Sequence, residues 1–304
     1  MTAICKILLL PFVLFQVSST ELRAQSGSRE EKIYELKAAN LILKVDGNKG
    51  GRIISLKIAE TEVLSSSKVH PENYGSTLWI SPQSNWGWPP YPVLDILPYR
   101  VSQTNKTISL QSMADSLSGC TIKKVISANA SDTSITILYT ILNTSKTEKK
   151  IAPWEVTRVP TGGLTFFPSG DLNGFRESNL VSNDIKGIRW ISYNKNTITA
   201  GQKMFHDGAE GWLAHVNAGI LFVKQFPDNP ALAAAPKEAE VEIYVNDLRS
   251  YIELENQGKY RALKPGEKLE WQVKWFVRKV PNSIAVVEAS DQLIKYVRDI
   301  VGGK

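Results

Sequence analysis

The sequence predicts an all-β chain, a sandwich or barrel closed by one C-terminal helix. Apolar and polar residues alternate with a period of two in one short stretch after another, and glycine-bearing turns separate these stretches. Helical spacing of apolar residues occurs only near the C-terminus.

Taken in order, residues 25–34 are too polar to bury and read as a disordered leader. Residues 39–45 and 52–58 are strands joined by the turn 46–51, whose Gly47, Gly50 and Gly51 favour a hairpin. Residues 79–92 run Trp-Ile-Ser-Pro-Gln-Ser-Asn-Trp-Gly-Trp-Pro-Pro-Tyr-Pro. Pro82, Pro89, Pro90 and Pro92 remove backbone donors and disfavour helix at the residues before them, which predicts an irregular or edge-like loop. Residues 134–143 set Ile135, Ile137, Tyr139 and Ile141 against Thr136, Leu138, Thr140 and Leu142, a strand apolar on both faces at its end. Residues 212–216 and 220–226 flank Asn217, Ala218 and Gly219 as a second hairpin. In 269–277, Leu269, Trp271, Val273, Trp275 and Val277 alternate with Glu270, Gln272, Lys274 and Phe276, so Trp271 and Trp275 are assigned to the core. Over 283–301, Ile284, Val287, Leu293, Tyr296, Val297 and Ile300 recur at helical spacing, with Ser283 as the cap and Gly302 and Gly303 after the end.

Residues 1–24 carry Lys6, an apolar run over 7–15 and a polar stretch ending at Ala24, the layout of a secretory signal peptide. The expected product is periplasmic or secreted. The apolar run falls well short of the roughly 20 residues that a membrane helix needs, so no membrane span is expected. With Cys5 in the removed segment, Cys120 is the one remaining cysteine and makes no internal disulfide; its setting reads as a buried small hydrophobe. The formal charge of +6 falls to +5 when Lys6, Glu21 and Arg23 leave. Lysines are mixed with glutamates and form no basic stripe with aromatics, which argues against a nucleic-acid partner. No low-complexity linker divides 35–304, which is read as a single domain. Nothing in the sequence points to an oligomeric state.

Nucleophile-elbow, zincin, phosphate-loop and paired-cysteine motifs are absent, and no cofactor or metal is expected. His206 and Asp207 are adjacent and offer too few ligands for a metal; His215 sits inside an apolar strand pattern. Trp79, Trp86 and Trp88, interleaved with Gln83 and Asn85, suit a saccharide, since rings stack on C–H faces while amides take hydroxyls. Tryptophans in β-proteins also serve as core, and Trp190 and Trp212 stay undecided. Glu253 and Glu255 fall on one strand face, and Glu155 lies on another extended segment. Carboxylates from the two segments meeting across one cleft would suit proton transfer on a sugar; pairing of Glu155 with Arg158 is the structural alternative.

Several stretches together resemble the galactose mutarotase-like superfamily, which includes the aldose 1-epimerases. They are Gly50-Gly51-Arg52-Ile53-Ile54-Ser55-Leu56 with Glu62-Val63-Leu64, then Leu142-Asn143-Thr144-Ser145, then Glu255-Asn256-Gln257 with Leu263-Lys264-Pro265-Gly266-Glu267. The segment 79–83 looks closer still to an uncharacterised domain family of that superfamily found in secreted bacterial proteins. The resemblance implies an antiparallel β-supersandwich with a C-terminal helix and a carbohydrate ligand. It matches Glu255 to the family's catalytic base. Residues 153–157 stand where the family keeps its acid histidine, and Glu155 is the candidate replacement, its acidity weakened by burial beside Trp154. Trp79, Gln83, Trp86, Trp88, Trp154, Arg158, His206 and Lys224 would then hold the sugar. Two readings follow: a mutarotase-like isomerase working by carboxylate acid–base chemistry, and a non-catalytic carbohydrate-binding protein of the same fold.

Overall fold

The computed structural model describes residues 32–171, 179–193 and 198–303; the expected signal peptide lies outside the described residues. The chain builds two antiparallel ten-stranded sheets. It enters the first sheet with β1 (Ile33–Ala38), β2 (Leu41–Asp46), β3 (Arg52–Ile58), the short β4 (Thr61–Glu62) and β5 (Ser76–Ser81). A short helix, α1 (Pro92–Asp95), precedes β6 (Arg100–Gln103), β7 (Thr107–Gln111), β8 (Cys120–Asn129) and β9 (Ser134–Asn143) of the second sheet. The long β10 (Lys149–Pro160) returns to the first sheet, and β11 (Leu164–Pro168), β12 (Asn183–Ile185) and β13 (Ile188–Ser192) belong to the second. Then β14 (Lys203–His206) joins the first, and the hairpin β15 (Trp212–Asn217) and β16 (Ile220–Gln225) the second. Finally β17 (Val241–Val245), β18 (Tyr251–Gln257) and β19 (Arg261–Leu263) complete the first sheet, β20 (Lys268–Lys279) the second, and α2 (Asp291–Val301) ends the fold.

Three sequence expectations need correction. β1 begins at Ile33, inside the stretch read as leader, because Leu36 and Ala38 bury on a strand that pairs with β2 through a turn at Ala39 and Asn40. Residues 79–81 are not loop: they finish β5, an interior strand between β3 and β10, and the irregular chain starts at Pro82. The terminal helix is shorter than 283–301 and takes Ser290 as its cap, whose hydroxyl accepts from the Leu293 amide. Ala289 just before it has φ 61°, a left-handed turn that no continuous helix can contain.

The period-two pattern explains the layers. Residues such as Leu43, Leu78, Ile137, Val273 and Trp275 meet between the sheets in one apolar core. On the outer face of the second sheet, Leu293, Ile294 and Val297 of α2 cover Phe166, Trp190, Trp212 and Phe276, which settles Trp190 and Trp212 as core. Trp271, Trp275 and Cys120 are buried as expected, and burial pushes the Cys120 thiol up to about 11. His215 is buried on β15 against Thr165, with a pKa lowered by burial to about 3, so it stays neutral. Among the described residues no helix is long and apolar enough to cross a membrane.

Candidate functional site

The first sheet has a face turned away from the second, and strand register decides what stands on it. Trp154, Val156 and Arg158 of β10 pair with Gln257, Glu255 and Glu253 of β18; Trp154 and Val156 also pair with Trp79 and Thr77 of β5. Beyond β18, Glu255 and Glu253 pair with Glu242 and Tyr244 of β17, which pair with Phe205 and Lys203 of β14. Cross-strand partners point to the same side, so these residues form one surface.

Over that surface lies a cleft of about 510 Å³, a volume suited to a small ligand. Trp79, Trp88 and Trp154 line it together with Gln83, Asn73 and Asn246, and with the ionisable side chains of His70, Lys203, Asp247 and Glu253. Trp79 is fixed by an indole N–H bond of 2.9 Å to Asp95 of α1 and stands edge-on to Trp154 at 5.3 Å between ring centroids. Trp86 does not line the cleft. It donates to the Ile80 carbonyl and packs on Trp79 and Trp154, supporting the floor. Trp88 is 57% exposed, the most accessible of the rings, and stands edge-on to Trp79.

The floor is a charge network. Lys203 Nζ sits 2.7 Å from Glu242 Oε2 and 2.8 Å from Glu255 Oε1, and lies over the Trp154 ring. Burial opposes the Lys203 charge, but Glu242 and Glu255 outweigh it and raise its pKa. Burial pushes the Glu242 carboxyl up to about 8, with Lys203 opposing and Glu255 and Glu238 adding. Glu255 also accepts the Trp154 indole N–H at 2.8 Å and is fully buried. Arg158 bonds Glu253 Oε1 at 2.8 Å and the Thr77 hydroxyl at 3.0 Å. Burial raises the Glu253 carboxyl, Arg158 opposes and Glu255 adds.

The structure separates the expected catalytic pair. Register matches Glu255 with Val156, so Glu155 is on the opposite face. There it is buried between the sheets, 3.0 Å from Lys224 Nζ, with the Trp275 indole and the Tyr139 hydroxyl donating to it. Lys224 is thus a core residue of β16 and holds no cleft ligand; it also donates to the Leu254 carbonyl. His206 ends β14. Lys203 and Phe205 share the sheet face that carries the cleft, so His206 faces the other way, against Phe167, Ser169 and the Asp207 carbonyl. Arg158 pairs with Glu253, not Glu155.

His70 is the cleft residue that sequence reasoning passed over. Its Nδ1 accepts from the Asn73 amide at 2.9 Å and the Glu72 amide at 3.3 Å, so the neutral ring carries its proton on Nε2. Lys203, Tyr244, Asn246, Asp247 and Tyr251 also went unrecognised. Glu242 and Tyr244 left a trace, alternating with Val241, Ile243 and Val245 as polar residues do on a strand with one working face. His70 and Asp247 lie outside strands and had no comparable signal.

The profile of an uncharacterised family, the domain of unknown function DUF4380, matches residues 32–278. The chain belongs to that family. No curated protein matches the sequence. Among solved structures, a galactose mutarotase-like protein from Lactobacillus casei is similar at 10% identity and a TM-score of 0.59, over 81% of this chain and 100% of the other. A galactose mutarotase-like protein from Clostridium acetobutylicum matches at 10% identity and 0.54, covering 83% and 96%. A galactose mutarotase related enzyme from Lactobacillus acidophilus matches at 10% and 0.56, covering 82% and 98%. This member of DUF4380 therefore has the galactose mutarotase-like fold; at such identities the likeness concerns architecture alone.

Proposed function

We propose that this protein binds a saccharide in the cleft on the outer face of the first sheet. The observation that carries the reading is Trp88, an exposed indole on the rim of a cleft floored by Trp79 and Trp154 and edged by the amides of Gln83, Asn73 and Asn246. Ring faces meet sugar C–H groups, and amides give and take hydrogen bonds with hydroxyls. The export signal expected in residues 1–24 suits a protein that meets glycans in the periplasm or outside the cell.

Calorimetry with a glycan panel tests the proposal. Trp88→Ala should weaken binding about tenfold or more, in line with the loss of one stacking contact, while the melting temperature stays unchanged because the ring is exposed. Saccharide affinity that is indifferent to Trp88→Ala, or no binding across the panel, refutes it.

A second reading adds catalysis, and the joint presence of His70 and Glu253 in the cleft favours it. Glu255 is a poor base here, since Lys203 and Trp154 donate to both of its oxygens and burial closes it off. In this reading Glu253 takes the anomeric hydroxyl proton as the C1–O5 bond opens to the aldehyde, Nε2–H of His70 hydrogen-bonds the developing O5 oxyanion, and the proton on Glu253 passes to O5 through solvent. Anomer exchange measured by NMR should fall on the order of a hundredfold or more in Glu253→Gln. Exchange no faster than in buffer for the native protein leaves binding alone.

A further inference from the structure

The chain is basic overall, with a formal charge of +6, yet its cleft gathers carboxyl groups. Lys203 is shared between Glu242 and Glu255, and Arg158 is taken by Glu253. Glu238, which accepts the Gln83 amide at the cleft edge, and Asp247, which lines the cleft, form no ion pair among the described residues. Asp247 is therefore the cleft-lining acid without a paired cation among the described residues, and the partly enclosed space around it strengthens its field.

The acids are also placed around rings. Glu253 is the register partner of Tyr244, whose hydroxyl donates to Asp247 Oδ1 at 3.2 Å. Tyr251 lines the same cleft, and after burial it is Glu253 that raises its phenol, to about 12, with Asp247 adding. Two carboxylates therefore act on one pair of phenol rings, with Trp88 exposed on the rim of the same cleft. Carboxylates interleaved with aromatic faces make a receptor for an ammonium group.

We propose that the cleft selects a saccharide bearing a free amine over neutral and acidic saccharides, seating the ammonium by Glu253, Asp247 and the Tyr244 and Tyr251 rings. The inference rests on the saccharide reading above and names its ligand class. A uronate or sulfated sugar would bring a further negative charge against Glu253, Asp247 and Glu238, with Lys203 and Arg158 already engaged. A neutral sugar would stack on the exposed Trp88 indole without supplying positive charge to Asp247 and Glu253.

The test is calorimetry on the full chain with three probes of equal length: a fully deacetylated glucosamine tetramer, cellotetraose and tetragalacturonate. Measurements at about pH 6 keep the amine protonated. The glucosamine tetramer should bind on the order of tenfold tighter than cellotetraose, and tetragalacturonate should bind weakest. Raising the salt about tenfold should narrow the gap, since the preference is electrostatic and the cleft is open to solvent. Asp247 is exposed, so Asp247→Asn folds normally and should remove most of the gap. Tetragalacturonate binding as tightly as the amine, or a gap unchanged in Asp247→Asn, overturns the proposal. If cellotetraose still binds and still needs Trp88, the saccharide reading survives that result; if no probe binds, both readings fail.

Discussion

At the scale of single residues, identity said little and orientation almost everything. Glu155 and Glu255 are the same residue type on neighbouring strands, yet one is sealed between the sheets with Lys224 and the other lies under Trp154 and Lys203. Glu253 and Glu255 were readable as one face, because alternation within a strand is local. The offset between β10 and β18 was not, since register depends on two segments a hundred residues apart. Glu240 shows what a buried carboxyl does without a cation. Its Oε1 accepts from Asn229, its Oε2 has no partner among the described residues, and burial pushes it up to about 8, with Asn229 opposing and Asp228 and Asp207 adding. The folded chain holds this proton over the interval from 4.5 to about 8 where the unfolded chain has lost it, so stability falls as pH rises through that window. The slope from this group is about 1.4 kcal/mol per pH unit at most. In Glu240→Gln, urea unfolding at several pH values should show a flatter decline and greater stability than the native chain near the alkaline end; an unchanged slope would exclude Glu240 as its source.

At the scale of elements, the strands with strict alternation were legible and those organised by their neighbours were not. β9 matches its sequence pattern residue for residue, and β20 extends only slightly beyond it. β5 escaped notice because both of its faces are buried, so Ser76–Ser81 shows no alternation in exposure, and the prolines after it dominate the local signal. Its entry hangs on Gly75, with φ 62°, where an added Cβ would lie 2.0 Å from the Ile53 carbonyl. Gly75→Ala should therefore cost at least about 2 kcal/mol in urea unfolding, from left-handed backbone and clash together. Saccharide affinity should drop with it, because β5 carries Trp79. A near-neutral variant would mean that β5 is not anchored there. At the other end, Leu293 of α2 is fully buried on the second sheet, and Leu293→Ala should cost about 2–5 kcal/mol by the same measurement. A loss below about 1 kcal/mol would show that α2 is dispensable to the core.

At the scale of the whole molecule, the two sheets are joined by an apolar core that encloses a buried ion pair, Glu155 on β10 with Lys224 on β16. Burial lowers the Lys224 pKa while Glu155 opposes that shift. Lys224→Met leaves the Glu155 carboxylate without its cation and should cost about 3–5 kcal/mol, whereas Lys224→Met with Glu155→Leu should recover much of it. Thermal and urea unfolding of the three proteins checks this, and a single variant as stable as the native chain would contradict the account. The sequence by itself determined the all-β class, the apolar faces of β9 and β20, the terminal helix and the burial of Trp271 and Trp275, because each depends on periodicity within one segment. Tertiary structure alone decided that Glu155, Lys224 and His206 turn away from the cleft, that Trp86 supports rather than contacts, and that His70, Asp247 and Lys203 converge with Trp88. Those outcomes follow from strand register and from the meeting of loops distant in sequence, and a one-residue change of register exchanges the two faces of a strand without altering any local pattern.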